Sequence, residues 1–333
     1  MPLTGFSSGG PKMNNSTRNL KMKKLLIAST ALVATAGMAA ADITVTGHAQ
    51  AGYHSQLLTK GGASQSTTSE GIYSGVGVDF AMSGATDNGI SFSASLNIDA
   101  GTEIDQADFQ YDGADGGTAG LGAVTMSGAF GTLTFDDGGV GNLFDGDYSN
   151  HDISYATTVN GVAISVAADA DESVTAGAAG TDDASASASV AAGDMTYTLT
   201  ASNHATNGMS TKVAVAYTVN DMLSVNANSK SLSASGAKTV AGVGATIVAN
   251  GLTVTVASDN AQPSSGWDLD LAYSLGGVAL AYGTDEGSSH DLTATYALGG
   301  GATFKAGMKN HGTSTAAKAA LKDSVYAGVS FAF

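Results

Sequence analysis

Six histidines, two clusters of aspartate and one glycine triplet are the parts of this sequence whose types could do chemistry. His48, His54, His151, His204, His290 and His311 stand at no spacing that would bring two imidazoles to one metal ion. Cysteine is absent, which removes thiol catalysis, disulfides and thiolate-held zinc or iron together. Serine is plentiful, yet no Gly-x-Ser-x-Gly elbow follows Asp42 to expose a nucleophile. Gly299-Gly300-Gly301 could cradle a phosphate, but it lies between two alternating segments and reads as a hairpin. Calcium is the one candidate cofactor, because Asp105, Asp108, Asp112 and Asp115 gather hard oxygen donors in one stretch and Asp136, Asp137, Asp145 and Asp147 in another. The competing reading is that both sets are solvated loop charges.

The elements that carry these residues follow from composition. Of 333 residues, 13% are charged, 45 are Gly and 3 are Pro, a profile that excludes a helical enzyme because each Gly inside a helix costs about 1 kcal/mol against Ala. An apolar share of 43% excludes disorder. A pI near 4.4 excludes a nucleic-acid partner, whose phosphates need a basic face.

The beginning of the chain reads as a leader. Lys21, Lys23 and Lys24 precede an uncharged run from Leu25 to Ala36 and a small-residue end at Ala39-Ala40-Ala41, the layout of a secretory signal peptide. Residues 1–21 then form an upstream extension or a misplaced start, 22–41 the signal peptide, and 42–333 a single domain. From Asp42 onward the 13 basic residues fall to eight lysines with no arginine, against 29 carboxylates, a net charge of −21.

From Asp42 the pattern has a period of two. Ile43, Val45, Ala49, Ala51 and Tyr53 alternate with Thr44, Thr46, His48, Gln50 and His54, and Ile90 to Asp99 repeats the alternation. Short turns recur at Asp87-Asn88-Gly89, Ala129-Phe130-Gly131, Asn160-Gly161, Gly193-Asp194, Asn220-Asp221, Asn250-Gly251, Gly276-Gly277 and Gly299-Gly300-Gly301, separated by longer polar connections such as Gly101 to Gly120. Eight short turns plus joined termini make nine hairpins and 18 strands. The alternation predicts an all-β, up-and-down transmembrane antiparallel β-barrel with apolar residues toward lipid and small polar ones toward water. Tyr217, Tyr273 and Tyr296, each three residues before a short turn, mark an interfacial girdle. Lys212, Lys230, Lys238, Lys305 and Lys309 all share the polar phase, as a lumen requires.

Val325, Ala327, Val329, Phe331 and Phe333 alternate to a terminal phenylalanine, and Phe331 and Phe333 resemble the C-terminal signal by which outer-membrane barrels are assembled. Together with Asp42-Ile43-Thr44-Val45-Thr46-Gly47, Met82 to Gly89, Met126 to Gly131 and Tyr296 to Ala302, this end makes the whole mature chain resemble an alphaproteobacterial, Rhodobacter-type general porin of the Gram-negative porin superfamily. The resemblance implies a trimer of 16-stranded barrels, at odds with the turn count of 18, and a pore-constricting loop after the fifth strand. That loop would be Asp136 to Asp152, with Asp136, Asp137, Asp145, Asp147 and Asp152 lining the eyelet. The opposing basic wall can only be lysine: Lys212, Lys230, Lys238, Lys305 and Lys309.

The function expected is an outer-membrane general diffusion channel of a Gram-negative bacterium, not an enzyme, with cations preferred. Its partners would be outer-membrane lipid, two further copies of itself as a homotrimer, the barrel-assembly machinery and small hydrophilic solutes. The alternative is a structural or adhesive barrel, or a secreted all-β surface protein, without an open pore.

Overall fold

The alternation that starts at Ile43 becomes an antiparallel sheet that closes on itself. The computed structural model describes residues 41–59, 67, 70–144, 150–170, 184–204, 208–233, 237–261, 266–312 and 321–333. The strands in its first part are β1 (Asp42–Ser55), β2 (Leu58–Thr59), β3 (Gly71–Ala85), β4 (Ser91–Asp105), β5 (Gln110–Gly128) and β6 (Gly131–Val140). Then come β7 (His151–Val159), β8 (Val162–Ala168), β9 (Ala184–Ala192), β10 (Met195–His204), β11 (Gly208–Asn220), β12 (Leu223–Ser231) and β13 (Val240–Ala249). The last six are β14 (Leu252–Asp259), β15 (Trp267–Leu275), β16 (Val278–Asp285), β17 (His290–Gly299), β18 (Ala302–Asn310) and β19 (Ser324–Ala332).

Closure comes from β1, which pairs with β3 on one side and with β19 on the other. All strand pairs are antiparallel except that of β2, a two-residue strand lying parallel to Gln110 and Tyr111 inside the β1–β3 connection. With β2 set aside the barrel has 18 strands, so the turn count holds and the family's 16 does not. The short turns have the backbone a tight hairpin demands: φ is 51° at Asn160 and 82° at Gly161, and 51° at Asn250 and 80° at Gly251, the left-handed pair that Asn-Gly supplies cheaply.

The phase of the alternation sorts the side chains. Leu199, Val213, Val243, Leu280 and Leu292 are exposed on the outside, as are Tyr217, Tyr273 and Tyr296 near the short turns. A soluble sandwich would bury such residues between two sheets; a single closed sheet that turns them outward needs lipid to cover them.

The inner surface departs from the small, polar lining expected. Leu57, Tyr73, Ile104, Phe109 and Tyr326 form a buried apolar cluster on the lumen side. Ile72 is 74% exposed outside while its neighbour Tyr73 is wholly buried, which places Tyr73 inside. Glycine makes this possible, since a Cβ on Gly52 or Gly328 would collide with the Tyr73 hydroxyl and one on Gly307 with the Tyr326 ring. The cluster is capped by the β4–β5 hairpin, whose tip residue Phe109 packs its ring, tilted by 55°, with its centre 5.3 Å from that of Tyr326.

Several boundaries read from the sequence move. Gly101 to Gly120 is not a loop but mostly the ends of β4 and β5, and three register shifts between these strands bend the hairpin. Asp136 and Asp137 lie within β6 and Asp152 within β7, so the connection after the fifth barrel strand is narrower than Asp136 to Asp152. Lys238 precedes β13 and is exposed in a connection rather than on a strand. The alternation missed these because strands that extend past the membrane need no apolar phase.

Candidate functional site: the lumen wall and its inward segments

Two segments reach into the barrel from the end opposite the short turns. The first is the β4–β5 hairpin, and the second follows β6. In the second, Leu143 donates its backbone N–H to Ser185 Oγ at 3.0 Å, and the Asn142 amide donates to Ser202 Oγ at 3.4 Å. Ser185 on β9 and Ser202 on β10 are in the phase opposite to Leu199 and so face the lumen. Phe144 is buried against this wall with Lys230 Nζ 5.7 Å from its ring centre, a cation–π contact. The described start of the connection after the fifth barrel strand, Asn142 to Phe144, therefore lies against the lumen wall.

A histidine holds that anchor. His151, wholly buried, has Nδ1 3.0 Å from Asp169 Oδ1 and Nε2 2.9 Å from Ser185 Oγ. With the Nδ1 hydrogen turned to the carboxylate, Nε2 accepts the serine hydroxyl, whose oxygen accepts from Leu143. In an open cleft these residue types would form a nucleophile, a base and its orienter. Here Ser185 is 3% exposed and its Oγ is already engaged, so the chain of bonds fastens a loop.

Charge is distributed around the lumen in sectors. Asp79, Asp99, Glu103 and Asp115 sit on β3, β4 and β5, and Asp259, Asp268, Asp270 and Asp291 on β14, β15 and β17. Between them lie Lys212 and Lys230, directly paired across β11 and β12, and Lys305 and Lys309 on β18. One crevice of about 390 Å³ has Lys212, Lys230, Asn226 and Asn228 on one side and Asp259, Asp268 and Glu286 on the other. A second, of about 460 Å³, sets Lys305 against Asp105 and Asp112 of the inward hairpin, beside His48 and Gln50. The basic wall expected as one face is thus split in two, each half confronting carboxylates.

The other sequence-marked residues take various places. Asp152 accepts backbone N–H groups from Gly138 and Ala170 at 3.0 and 2.9 Å, tying β6 to the end of β8. Asp145 and Asp147 lie outside the described residues. Asp105, Asp108, Asp112 and Asp115 do not converge: Asp105 caps the hairpin turn by accepting the N–H groups of Ala107 and Asp108, and the four share no common point. Phe331 faces outward, and Phe333 exchanges backbone hydrogen bonds with Gly47 while its ring lies over that glycine.

What the sequence could not show is the setting of His48 on β1. Its Nδ1 is 3.3 Å from Asp79 Oδ2 and its Nε2 3.3 Å from Asp99 Oδ1, partners 31 and 51 residues away in sequence. Alternation marked all three for the lumen; only the register of β1 on β3 and of β3 on β4 brings them together.

A closed barrel, outward apolar residues and an inward segment after the fifth strand set the frame for comparison with known proteins. The family model described as Gram-negative porin matches residues 28–263, more than half of the chain. The chain belongs to the Gram-negative porin family. A triple mutant of Rhodopseudomonas blastica porin is similar in fold, with a TM-score of 0.50 at 15% identity over 88% of this chain and 100% of that one. Two other mutants of Rhodopseudomonas blastica porin give TM-scores of 0.49 at 15% and 16% identity with the same coverage. No curated protein matches. As a porin, the chain is an outer-membrane diffusion channel of a Gram-negative bacterium, and the reading as a secreted surface protein falls with the outward apolar face. The lumen wall and its inward segments are then the lining of the path.

Proposed function

We propose that this porin passes small hydrophilic solutes and ions passively, prefers cations, and has its narrowest point where the segment after β6 meets the lumen wall. The observation that carries the reading is the anchoring of Leu143 and Phe144 on Ser185 and beside Lys230. Asp145 and Asp147, the next carboxylates along the sequence, are the eyelet residues of this reading. Asp136, Asp137 and Asp152 contribute at its rim. A surplus of carboxylates over lysines on the wall favours cations by simple attraction. Transport rather than catalysis is the activity, as the porin family supports.

The working unit would be residues 42–333 after removal of residues 22–41, and β1 starting at Asp42 fits cleavage after Ala41. Homotrimer formation and recognition of Phe331 and Phe333 by the assembly machinery follow the family.

The test is single-channel conductance of the detergent-purified barrel in a planar bilayer, with the reversal potential measured across a salt gradient. A cation-selective potential that weakens in the Asp145→Asn, Asp147→Asn double variant is expected. Unchanged selectivity in that variant would overturn the eyelet assignment. Absence of conductance from folded, heat-modifiable protein would favour a plugged structural barrel, a reading to which the apolar cluster around Phe109 lends itself.

A further inference from the structure

We propose that His48, Asp99 and Glu103 form a divalent transition-metal site, of the zinc class, on the lumen wall. One donor atom from each lies within 4.8 Å of the others, on β1 and β4, the strands that flank β3. Zinc, bound about 2.0–2.2 Å from nitrogen and oxygen donors, holds such atoms roughly 3–4 Å apart, so a small contraction closes the set around one ion with water as the fourth ligand.

Three independent features point to a ligand. The first is an orphan: Glu103 Oε1 is buried from solvent with no hydrogen-bond partner. A buried carboxylate oxygen without a donor is costly, and a cation is the partner that satisfies it. The second is room. Between β1 and β4, strand β3 presents Gly75 and Gly77, where a Cβ would stand 2.5 Å from Glu103 Cγ and 2.0 Å from Asp99 Oδ1. Any other residue would push the three donors apart. The third is the arrangement behind the histidine. Asp79 holds His48 Nδ1, and Asn97 donates to both Asp79 Oδ1 at 2.9 Å and Asp99 Oδ1 at 3.2 Å. A carboxylate on one ring nitrogen fixes the tautomer that offers the other nitrogen to metal, the outer support typical of zinc histidines.

The donor set selects the metal. An imidazole nitrogen beside two carboxylates suits zinc, nickel or copper, whereas calcium and magnesium take oxygen alone. No lysine among the described residues lies within ion-pairing distance of these carboxylates, so a dication would also relieve their mutual repulsion.

Isothermal titration of zinc chloride into the detergent-purified barrel tests this without relying on conduction. One zinc ion per chain is expected, with affinity lowered at least about tenfold in His48→Ala and in Glu103→Gln, and comparably in the positioning variant Asp79→Asn. His290→Ala, which alters a histidine paired with Tyr282 instead, should bind as the parent does. Calcium chloride should give no comparable heat. Absence of one-to-one zinc binding by the parent overturns the proposal, and so does undiminished binding in Glu103→Gln, which also decides the matter if His48→Ala loses heat-modifiable folding.

Discussion

His151 Nε2 and Ser185 Oγ lie 2.9 Å apart, and that contact joins the barrel wall to the segment that narrows it. The histidine comes from the start of β7, the serine from β9, and the third member of the bond chain, Leu143, from the inward segment itself. The central pair, His151 and Ser185, is buried, so solvent competes little for the bond between them.

Replacing Ser185 by Ala should therefore act on the loop more than on the barrel. The buried His151 Nε2 and the half-buried Leu143 N–H lose their partner, a cost of about 1–3 kcal/mol. The expected outcome is a barrel that still forms but shows greater open-channel current noise and a lower thermal transition. Noise and stability both equal to the parent would show that the segment is held elsewhere.

Phe109→Ala tests the second inward segment. The ring packs among Leu57, Tyr73, Ile104 and Tyr326 and under Lys309 Nζ, 5.5 Å from its centre. Truncating a buried Phe costs about 3–5 kcal/mol, enough to loosen a hairpin tip otherwise held by the two-residue ladder of β2 and by hydrogen bonds from Gln106 to the Tyr73 hydroxyl and from Gln50 to the Ile104 carbonyl. Single-channel conductance should rise as the hairpin leaves the lumen. If conductance is unchanged, the hairpin does not limit the path.

Val213 and Ala214 are neighbours on β11 that face lipid and lumen respectively, so lysine at each position asks the same question of two solvents. Val213→Lys should destabilise the folded barrel by about 2–4 kcal/mol in denaturant unfolding from lipid, and Ala214→Lys by much less. Equal losses would mean that the outward face is not in hydrocarbon.

At the chain end, Phe333 makes two distinguishable contributions. Its backbone exchanges hydrogen bonds of 2.6 and 2.9 Å with Gly47, closing the seam between β1 and β19, while its ring covers that glycine. Phe333→Ala keeps the backbone bonds and should refold in detergent with near-parent stability yet assemble poorly in cells. Deletion of Phe333 should lower stability in both settings. Efficient assembly of Phe333→Ala in cells would remove the ring from the assembly signal.

Much of this protein was legible residue by residue because a barrel strand is a local pattern. Period-two alternation from Ile43 to Phe333 assigns each side chain to lipid or lumen without knowledge of its neighbours, and Asn-Gly and Gly-Gly pairs mark where the chain must reverse. From these alone came the closed barrel, its 18 strands, the outward tyrosines near the short turns and the lumen phase of Lys212, Lys230, Lys305 and Lys309. The tertiary structure decided what alternation does not encode. Which lumen residues meet depends on register between strands tens of residues apart, and that register places His48 against Asp79 and Asp99 and pairs Lys212 with Lys230. Bulges in the β4–β5 hairpin bend it inward and bury Phe109 on Tyr73 and Tyr326, an apolar contact inside a wall whose pattern is polar. A period of two names the face a side chain occupies; closure of the sheet, a long-range event, chooses its company.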